Sequence, residues 1–173
     1  MKKSQLSERR YRLDLYIGVK TKFVVELIKL CDGPKERVII FTQLLEPLKL
    51  IKEQLISLFG WTLDREILYM DGTLDAEQRQ ISINSLNDPK SDVKKLLASI
   101  KACSKGRSLI RVSSVVFLDV LWNPSVEQQA ISRAYRNGQT KFVHVYCPVT
   151  SKWEVDKIKP HILMLLDSKH AQI

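Results

Sequence analysis

The chain has 173 residues, of which 45% are apolar and 27% charged, and a net charge of +9. This length suffices for one domain with a buried core, and the composition is ordinary for a globular protein. With no apolar run near the roughly 18 residues that span a bilayer, no signal-peptide pattern and three widely spaced cysteines that suit reduced thiols, we expect an intracellular protein without a membrane partner.

Helical and strand patterns alternate from residue 19 onward. Residues 19–31 carry apolar residues at helical spacing,. The run ERVIIFTQ, residues 36–43, predicts a strand buried on both sides,. A helical stripe follows from Leu44 and stops at Gly60, and REILYMDG, residues 65–72, predicts a second strand.

The second half of the chain continues this alternation. Asp75 and Gln78 have the spacing of a capping box, which predicts a helix through about Leu86,. Three more strands and one more helix are predicted: VKKLLASI at 93–100, SSVVFLDV at 113–120, a helix at 125–137 and KFVHVYCP at 141–148.

The alternation predicts an α/β domain with a parallel sheet and helices on both faces. We expect a basic extension at residues 1–16, the domain at 17–150 and a helical tail at 151–173. Loops at the carboxyl ends of parallel strands carry the binding residues in such folds. The residues after each strand are therefore the first candidates for function.

Positive charge is segregated along the chain. Residues 1–37 carry ten Lys/Arg against five Asp/Glu, residues 38–89 carry four against eight, and residues 90–173 carry fourteen against six. This pattern favours one basic face and a polyanionic partner. Charge alone is equally compatible with a solvated surface.

The chain lacks the sequence of a nucleotide-hydrolysing site. A phosphate loop has the pattern G-x-x-x-x-G-K-[ST], and none of the six glycines is followed by lysine. No acidic pair at a strand end is available to hold magnesium, and we expect no metal site. By itself, the chain should neither bind nor split a nucleoside triphosphate.

One row of polar side chains nevertheless has the chemistry of a phosphate contact. Gln129, Arg133 and Arg136 are spaced by four and three residues, so a helix would place them on one side. Arginine suits phosphate geometry, and an arginine supplied across an interface can stabilise charge on a transferred phosphoryl group. Spacing alone favours the ordinary alternative, a surface helix whose arginines pair with carboxylates.

Four long strings, in order, resemble the Swi/Snf-type remodelling ATPases over roughly residues 15–150. They are RVIIFTQLLEPLKLI, ILYMDGTLDAEQRQ, LLASIKACSKGRSL and VVFLDVLWNPSVEQQAISRAYRNGQTKFVHVY. Within that family, GWTLDREILYMDG and LDVLWNPSVEQQAISRAYRNGQ are similar to the plant CLASSY proteins. The resemblance implies the RecA-like C-terminal lobe of a two-lobed helicase-type motor, without the first lobe.

The resemblance also implies roles for the polar row. Arg136 would be the arginine finger, Arg133 a second phosphate-facing arginine, and Gln129 and Gly106 would adjoin the nucleotide. Their target would be ATP, with Mg²⁺, held by the absent lobe. Trp122 matches the family's WNP turn, where a DNA contact and a core aromatic are both open.

Residues after the first three strands would face duplex DNA in the same family. Hydroxyls, amides and backbone N–H groups there would contact phosphates without reading sequence. The positions implied are Thr42, Gln43, Gly72 and Thr73, with Ser99 and Lys101 linking the DNA track to the nucleotide cleft.

Two functions follow from the resemblance. The first is the second lobe of a nuclear, DNA-dependent ATPase acting on chromatin in RNA-directed DNA methylation and small-RNA production, with RNA polymerase IV as a further partner. The second is a non-catalytic DNA- or protein-binding module derived from such a lobe. The intact polar row of Gln129, Arg133 and Arg136 favours the first function. Departures from the family pattern at Ile100, Lys105, Arg107 and Arg111, and the missing first lobe, favour the second. We expect Arg107 and Arg111 to lie outside the core, because burying an unpaired charge is costly.

Overall fold

The computed structural model describes residues 18–31, 36–102, 108–121, 123–135, 139 and 142–149. The predicted N-terminal extension and C-terminal tail lie outside these ranges, as do Gly106, Trp122 and Arg136.

Within the described residues, five parallel strands form one sheet, as the alternating pattern predicts. Their order across the sheet is β2-β3-β1-β4-β5, and every neighbouring pair is parallel. The strands are β1 (Arg37–Thr42), β2 (Ile67–Met70), β3 (Lys95–Ser99), β4 (Val112–Phe117) and β5 (His144–Tyr146).

Helices cover both faces of this sheet. They are α1 (Val19–Leu30), α2 (Leu45–Phe59), α3 (Ala76–Asn87) and α4 (Pro124–Ala134). Buried side chains of α1 and α2 pack with one face of β1, where Ile40 lies. Buried side chains of α3 and α4 pack with the opposite face, where Ile39 and Phe41 lie. The prediction of a RecA-like α/β lobe is therefore confirmed.

Local sequence signals fix several of these boundaries. Asp75 accepts a hydrogen bond from the Gln78 N–H at 2.8 Å, and the Gln78 side chain accepts from the Asp75 N–H at 3.0 Å, so the capping box is confirmed. α2 ends at Gly60, which has φ of 65°, a conformation that costs glycine little. Asn123 caps α4 through its side chain, and Pro124 occupies the first turn,.

α4 is shorter than the predicted helix at 125–137. Its backbone leaves the helix at Tyr135, and the carbonyls of its last turn find partners elsewhere. The Leu109 N–H donates to the Arg133 carbonyl at 2.7 Å, and the Gln139 amide donates to the Ala134 carbonyl at 3.2 Å. These contacts remove the need for a further helical turn.

Two cations are buried where β1 and β3 begin, at the edge that we call the amino edge. Arg37 donates to the carbonyls of Leu86, Asp88 (2.6 Å) and Ser91 (3.1 Å). Burial lowers the pKa of Arg37, and the nearby charge of Arg111 lowers it further. Lys95 is fully buried and donates to the Cys31 carbonyl at 2.9 Å. Part of the chain's positive charge is therefore internal.

Candidate nucleic-acid and nucleotide interface

The residues that follow β1, β2 and β3 meet at the opposite edge, which we call the carboxyl edge. Thr42 and Ser99 are direct partners across β1 and β3. Met70 pairs with Ala98 in the adjacent strand, so Gly72 and Thr73 follow at the same edge. The structure thus brings together the predicted DNA-facing positions that are distant in sequence.

The turn after β1 is held by an aspartate from the end of β4. The Thr42 hydroxyl donates to the Asp119 carboxylate, and the Gln43 N–H donates to the same oxygen at 2.8 Å. The Leu44 N–H in turn donates to the Thr42 hydroxyl oxygen at 3.0 Å. Thr42 is 1% exposed, whereas the Gln43 side chain is exposed. Thr42 therefore shapes the turn, and Gln43 presents an amide to solvent.

The turn after β2 has a similar organisation. Asp71 accepts from the Thr73 hydroxyl at 2.5 Å and from its N–H at 2.9 Å. The hydroxyl bond is the largest cause of the lowered pKa of Asp71. Arg79 on α3 donates weakly to the Gly72 carbonyl at 3.5 Å. Gly72 and Thr73 are both exposed, and the space beside Gly72 is open, so another molecule can approach this backbone.

The end of β3 presents one buried hydroxyl and one exposed cation. Ser99 is 6% exposed, and its hydroxyl accepts from the Ala102 N–H at 3.3 Å. Lys101 lies in the same turn and is exposed. Gly106, four residues further along the chain than Ala102, lies outside the described residues.

Lysines of α1 add positive charge at this edge. Lys20 and Lys22 stand in the first turn of α1, which has no acidic residue. The Lys20 ammonium donates to the Leu118 carbonyl, just after β4, at 3.0 Å. Beside it is an open cleft of about 270 Å³ whose lining includes Pro47 and Asp119. The start of α1 is therefore adjacent to the turn after β1.

α4 turns part of the predicted polar row away from the core. Gln129 is exposed and Arg133 is partly exposed. The opposite side of the helix is buried at Ala130, Ile131 and Ala134. Because Leu109 bonds to the Arg133 carbonyl just before β4 begins, α4 ends near the amino edge. Arg136, the third member of the row, lies outside the described residues.

The acidic residue of α4 is on its buried side. Glu127 is 5% exposed, and the Cys147 thiol donates to its carboxylate at 3.7 Å. Burial, and then the adjacent Glu127 charge, raise the pKa of Cys147 to about 12. No other Asp or Glu occurs in α4, so its solvent side carries no carboxylate of its own.

Sequence reasoning missed the two aspartates that organise the turns. Asp71 and Asp119 were not among the predicted site residues, although each directly follows a run of apolar residues in the sequence. That position was the available signal, because carboxylates there can accept hydrogen bonds from neighbouring turns.

Arg111 belongs to the segment that departs from the family pattern, and its side chain is exposed, as expected. Arg107, from the same segment, lies outside the described residues.

The described residues contain neither a membrane-spanning helix nor a cluster of metal ligands. No described helix is long and apolar enough to cross a membrane. Within the same ranges, no group of three or more His, Cys, Asp or Glu side chains could hold a metal ion.

The sheet order, the helices on both faces and the polar turns at one edge define a RecA-like lobe of the helicase type. Residues 19–138 match the family model described as helicase conserved C-terminal domain, and the chain belongs to that family. It is a Swi/Snf-type C-terminal lobe, similar to the SNF2 domain-containing proteins CLASSY 3 and CLASSY 4 of Arabidopsis thaliana.

These relatives are much longer than the chain. Identity to CLASSY 3 is 53% over 138 residues, which cover 80% of this chain and 10% of the relative. Identity to CLASSY 4 is 49% over 148 residues, which cover 84% and 13%, respectively. The chain therefore spans about a tenth of the length of these curated relatives.

Solved structures share the same fold. The C-terminal part of the Fun30 ATPase domain superposes with a TM-score of 0.68 at 29% identity, covering 81% of this chain and 44% of that one. The Sulfolobus solfataricus SWI2/SNF2 ATPase core in complex with dsDNA gives a TM-score of 0.66 at 24% identity, covering 86% and 30%. The second likeness concerns the fold alone.

Proposed function

We propose that the chain is the second motor lobe of a Swi/Snf-type DNA-dependent ATPase. ATP and its Mg²⁺ are held by a first lobe outside this sequence. Gln129, Arg133 and Arg136 approach the triphosphate when the two lobes close. The finger arginine stabilises charge on the transferred phosphoryl group, a contribution of about 10³–10⁵-fold to turnover in other phosphoryl-transfer enzymes.

The observation that carries this proposal is the asymmetry of α4. Its apolar residues and its acid, Glu127, face the core, whereas the amide of Gln129 and the guanidinium of Arg133 lie on the more accessible side. A side without carboxylates of its own suits an anionic ligand brought by another body.

The carboxyl edge supports the DNA-facing part of the proposal. Exposed Gln43, Thr73 and Lys101 lie in turns that internal hydrogen bonds hold in place. Exposed amide, hydroxyl and ammonium groups on rigid turns can contact phosphates without reading sequence. Thr42 and Ser99, both buried, contribute by shaping these turns.

The similarity to the CLASSY proteins supports a particular setting. We infer that the full-length protein acts on chromatin in the nucleus, in RNA-directed DNA methylation. There it assists RNA polymerase IV in producing small-RNA precursors. These roles belong to the whole protein, of which this chain is one lobe.

ATP turnover by the purified chain tests whether the active site is divided between lobes. We expect none above background, with or without duplex DNA, because the phosphate loop and the acidic pair are not in this sequence,. DNA-stimulated hydrolysis that copurifies with the chain through successive columns contradicts the proposal.

Salt-dependent DNA binding tests the role of the carboxyl edge. We expect weak, sequence-independent binding, with log K falling against log salt by about 0.9 for each phosphate contacted. Duplexes of unrelated sequence should give the same affinity. An affinity that is unchanged between low and high salt contradicts this part of the proposal.

A non-catalytic binding module is the second candidate. Arg111 is exposed at the end of the loop that departs from the family pattern, and added positive charge there is compatible with DNA binding without nucleotide coupling. The two candidates differ in ATP turnover by the full-length protein, because only the motor hydrolyses ATP.

A further inference from the structure

We propose that Asp119 is a positioning residue that couples the DNA-facing turn after β1 to the start of α4. This inference rests on the proposed DNA contact at the carboxyl edge and adds the residue through which that contact reaches the helix bearing Gln129 and Arg133. The coupling runs first through the hydrogen bonds that Thr42 and Gln43 donate to Asp119. It continues along residues 120–123, which connect Asp119 to the first residue of α4.

The first link is the pair of hydrogen bonds to one carboxylate oxygen. The Thr42 hydroxyl and the Gln43 N–H both donate to Asp119, although Asp119 lies 77 and 76 residues away in sequence. Charge-assisted hydrogen bonds are stronger than neutral ones, so the β1 turn and Asp119 move together. A contact that displaces the exposed Gln43 side chain therefore pulls on Asp119.

The second link is the short segment between Asp119 and α4. β4 is tied to β1 up to this point, because the Leu118 N–H donates to the Phe41 carbonyl at 2.9 Å. Asn123 then accepts from the Ser125 N–H at 3.0 Å and caps α4. Only three residues separate Asp119 from this cap, so a displacement of Asp119 shifts the first turn of α4. The helix then carries the shift over its 11 residues, about 16 Å,.

The turn after β2 supplies a contrast in the same molecule. Asp71 also accepts from a threonine hydroxyl and a backbone N–H, but both belong to Thr73, two residues away. Among the described residues, these two hydrogen bonds stay within one turn, and the Asp71 carboxylate feels α2 only through the charges of Lys49 and Lys52. Asp119, by comparison, joins the ends of two strands and precedes the helix of the polar row.

The test is a titration of the ¹⁵N-labelled 173-residue chain with a short duplex DNA at low salt, followed by amide spectra. In the wild-type chain we expect shifts at Gln43 and Leu44, and also in the first turn of α4. Asp119→Ala should keep the shifts at Gln43 and Leu44. It should reduce the shifts in the first turn of α4, which we call the α4 response, to half or less of their wild-type size. Asp119→Asn should restore it, because an amide oxygen can accept both hydrogen bonds.

Asp71→Ala is the matched control, since it removes the same type of contact from the neighbouring turn. It should leave the α4 response at the wild-type level. If Asp119→Ala does not give a dispersed spectrum, Thr42→Val removes one donor from the other side of the contact and should also reduce the α4 response.

The outcomes separate the two proposals. DNA binding without any α4 response in the wild-type chain overturns the coupling, as does an undiminished response in Asp119→Ala or an equal loss in Asp71→Ala. If no amide shifts at saturating DNA, the proposed DNA contact itself is wrong, and the coupling falls with it.

Discussion

The two edges of the sheet use charge in opposite ways. At the amino edge, the cations Arg37 and Lys95 are buried and donate to backbone carbonyls. At the carboxyl edge, the anions Asp71 and Asp119 accept from backbone N–H groups and threonine hydroxyls. Charges at the first edge complete the interior, whereas those at the second hold turns whose other groups remain exposed.

This difference changes how the net charge of the chain should be used to predict a partner. A total of +9 predicts a polyanionic partner,, but Arg37 and Lys95 contribute to that total from inside the fold. The charge that a polyanion can meet is carried by other residues, such as exposed Lys101. The strand end at which a cation lies therefore says more about its availability to a polyanion than its contribution to the net charge does.

Replacing Arg37 should give the largest effect on stability. Arg37→Ala leaves three backbone carbonyls without their donor, and we expect a loss of about 3 kcal/mol or more in the free energy of unfolding. Arg65→Ala is the control, because Arg65 is exposed and pairs with Asp92 at the surface; it should cost less than about 1 kcal/mol. Chemical denaturation measures both, and equal losses would contradict a structural amino edge.

A smaller effect is expected from the helix cap beside the carboxyl edge. Asp75→Ala removes the acceptor of the capping box and should cost about 1 kcal/mol. Glu77→Ala, an acid in the same first turn that is not the cap residue, should cost only a few tenths of that figure. Thermal unfolding of the two variants compares them. A larger loss for Glu77→Ala would show that general charge, not the cap, stabilises α3.

The smallest expected effect is on DNA binding, and the two variants replace lysines near opposite ends of β3. Lys101→Ala, at the carboxyl edge, should weaken DNA binding several-fold and reduce the slope of log K against log salt by about 1. Lys90→Ala removes an exposed lysine before the amino end of the same strand and should leave affinity and slope nearly unchanged. Fluorescence anisotropy at several salt concentrations distinguishes them. Equal losses of DNA affinity in the two variants would contradict a DNA contact located at the carboxyl edge.

Apolar patterning was enough to predict the sheet and its helices. The buried run of β1, the capping box at Asp75 and the glycine that ends α2 are signals within a few residues of sequence. Parallel strands then place Thr42, Gly72 and Ser99 at one edge without further information. The existence of the candidate edge was therefore predictable.

Contacts between distant residues were not predictable in the same way. The bonds from Thr42 and Gln43 to Asp119 cross more than 70 residues, and the burial of Lys95 depends on the Cys31 carbonyl, 64 residues away. The early end of α4 likewise depends on Leu109 and Gln139. No local pattern encodes these partners, because tertiary packing selects them.

The most direct test of the central claim is ATP turnover by the full-length protein carrying Arg133→Ala or Arg136→Ala. We predict that each lowers DNA-stimulated turnover by at least about 100-fold, with ATP and DNA affinities within a few-fold of wild type. Arg111→Ala, an exposed arginine outside the polar row, should retain turnover. Wild-type turnover in both Arg133→Ala and Arg136→Ala would contradict the claim that this lobe supplies arginines to ATP held elsewhere.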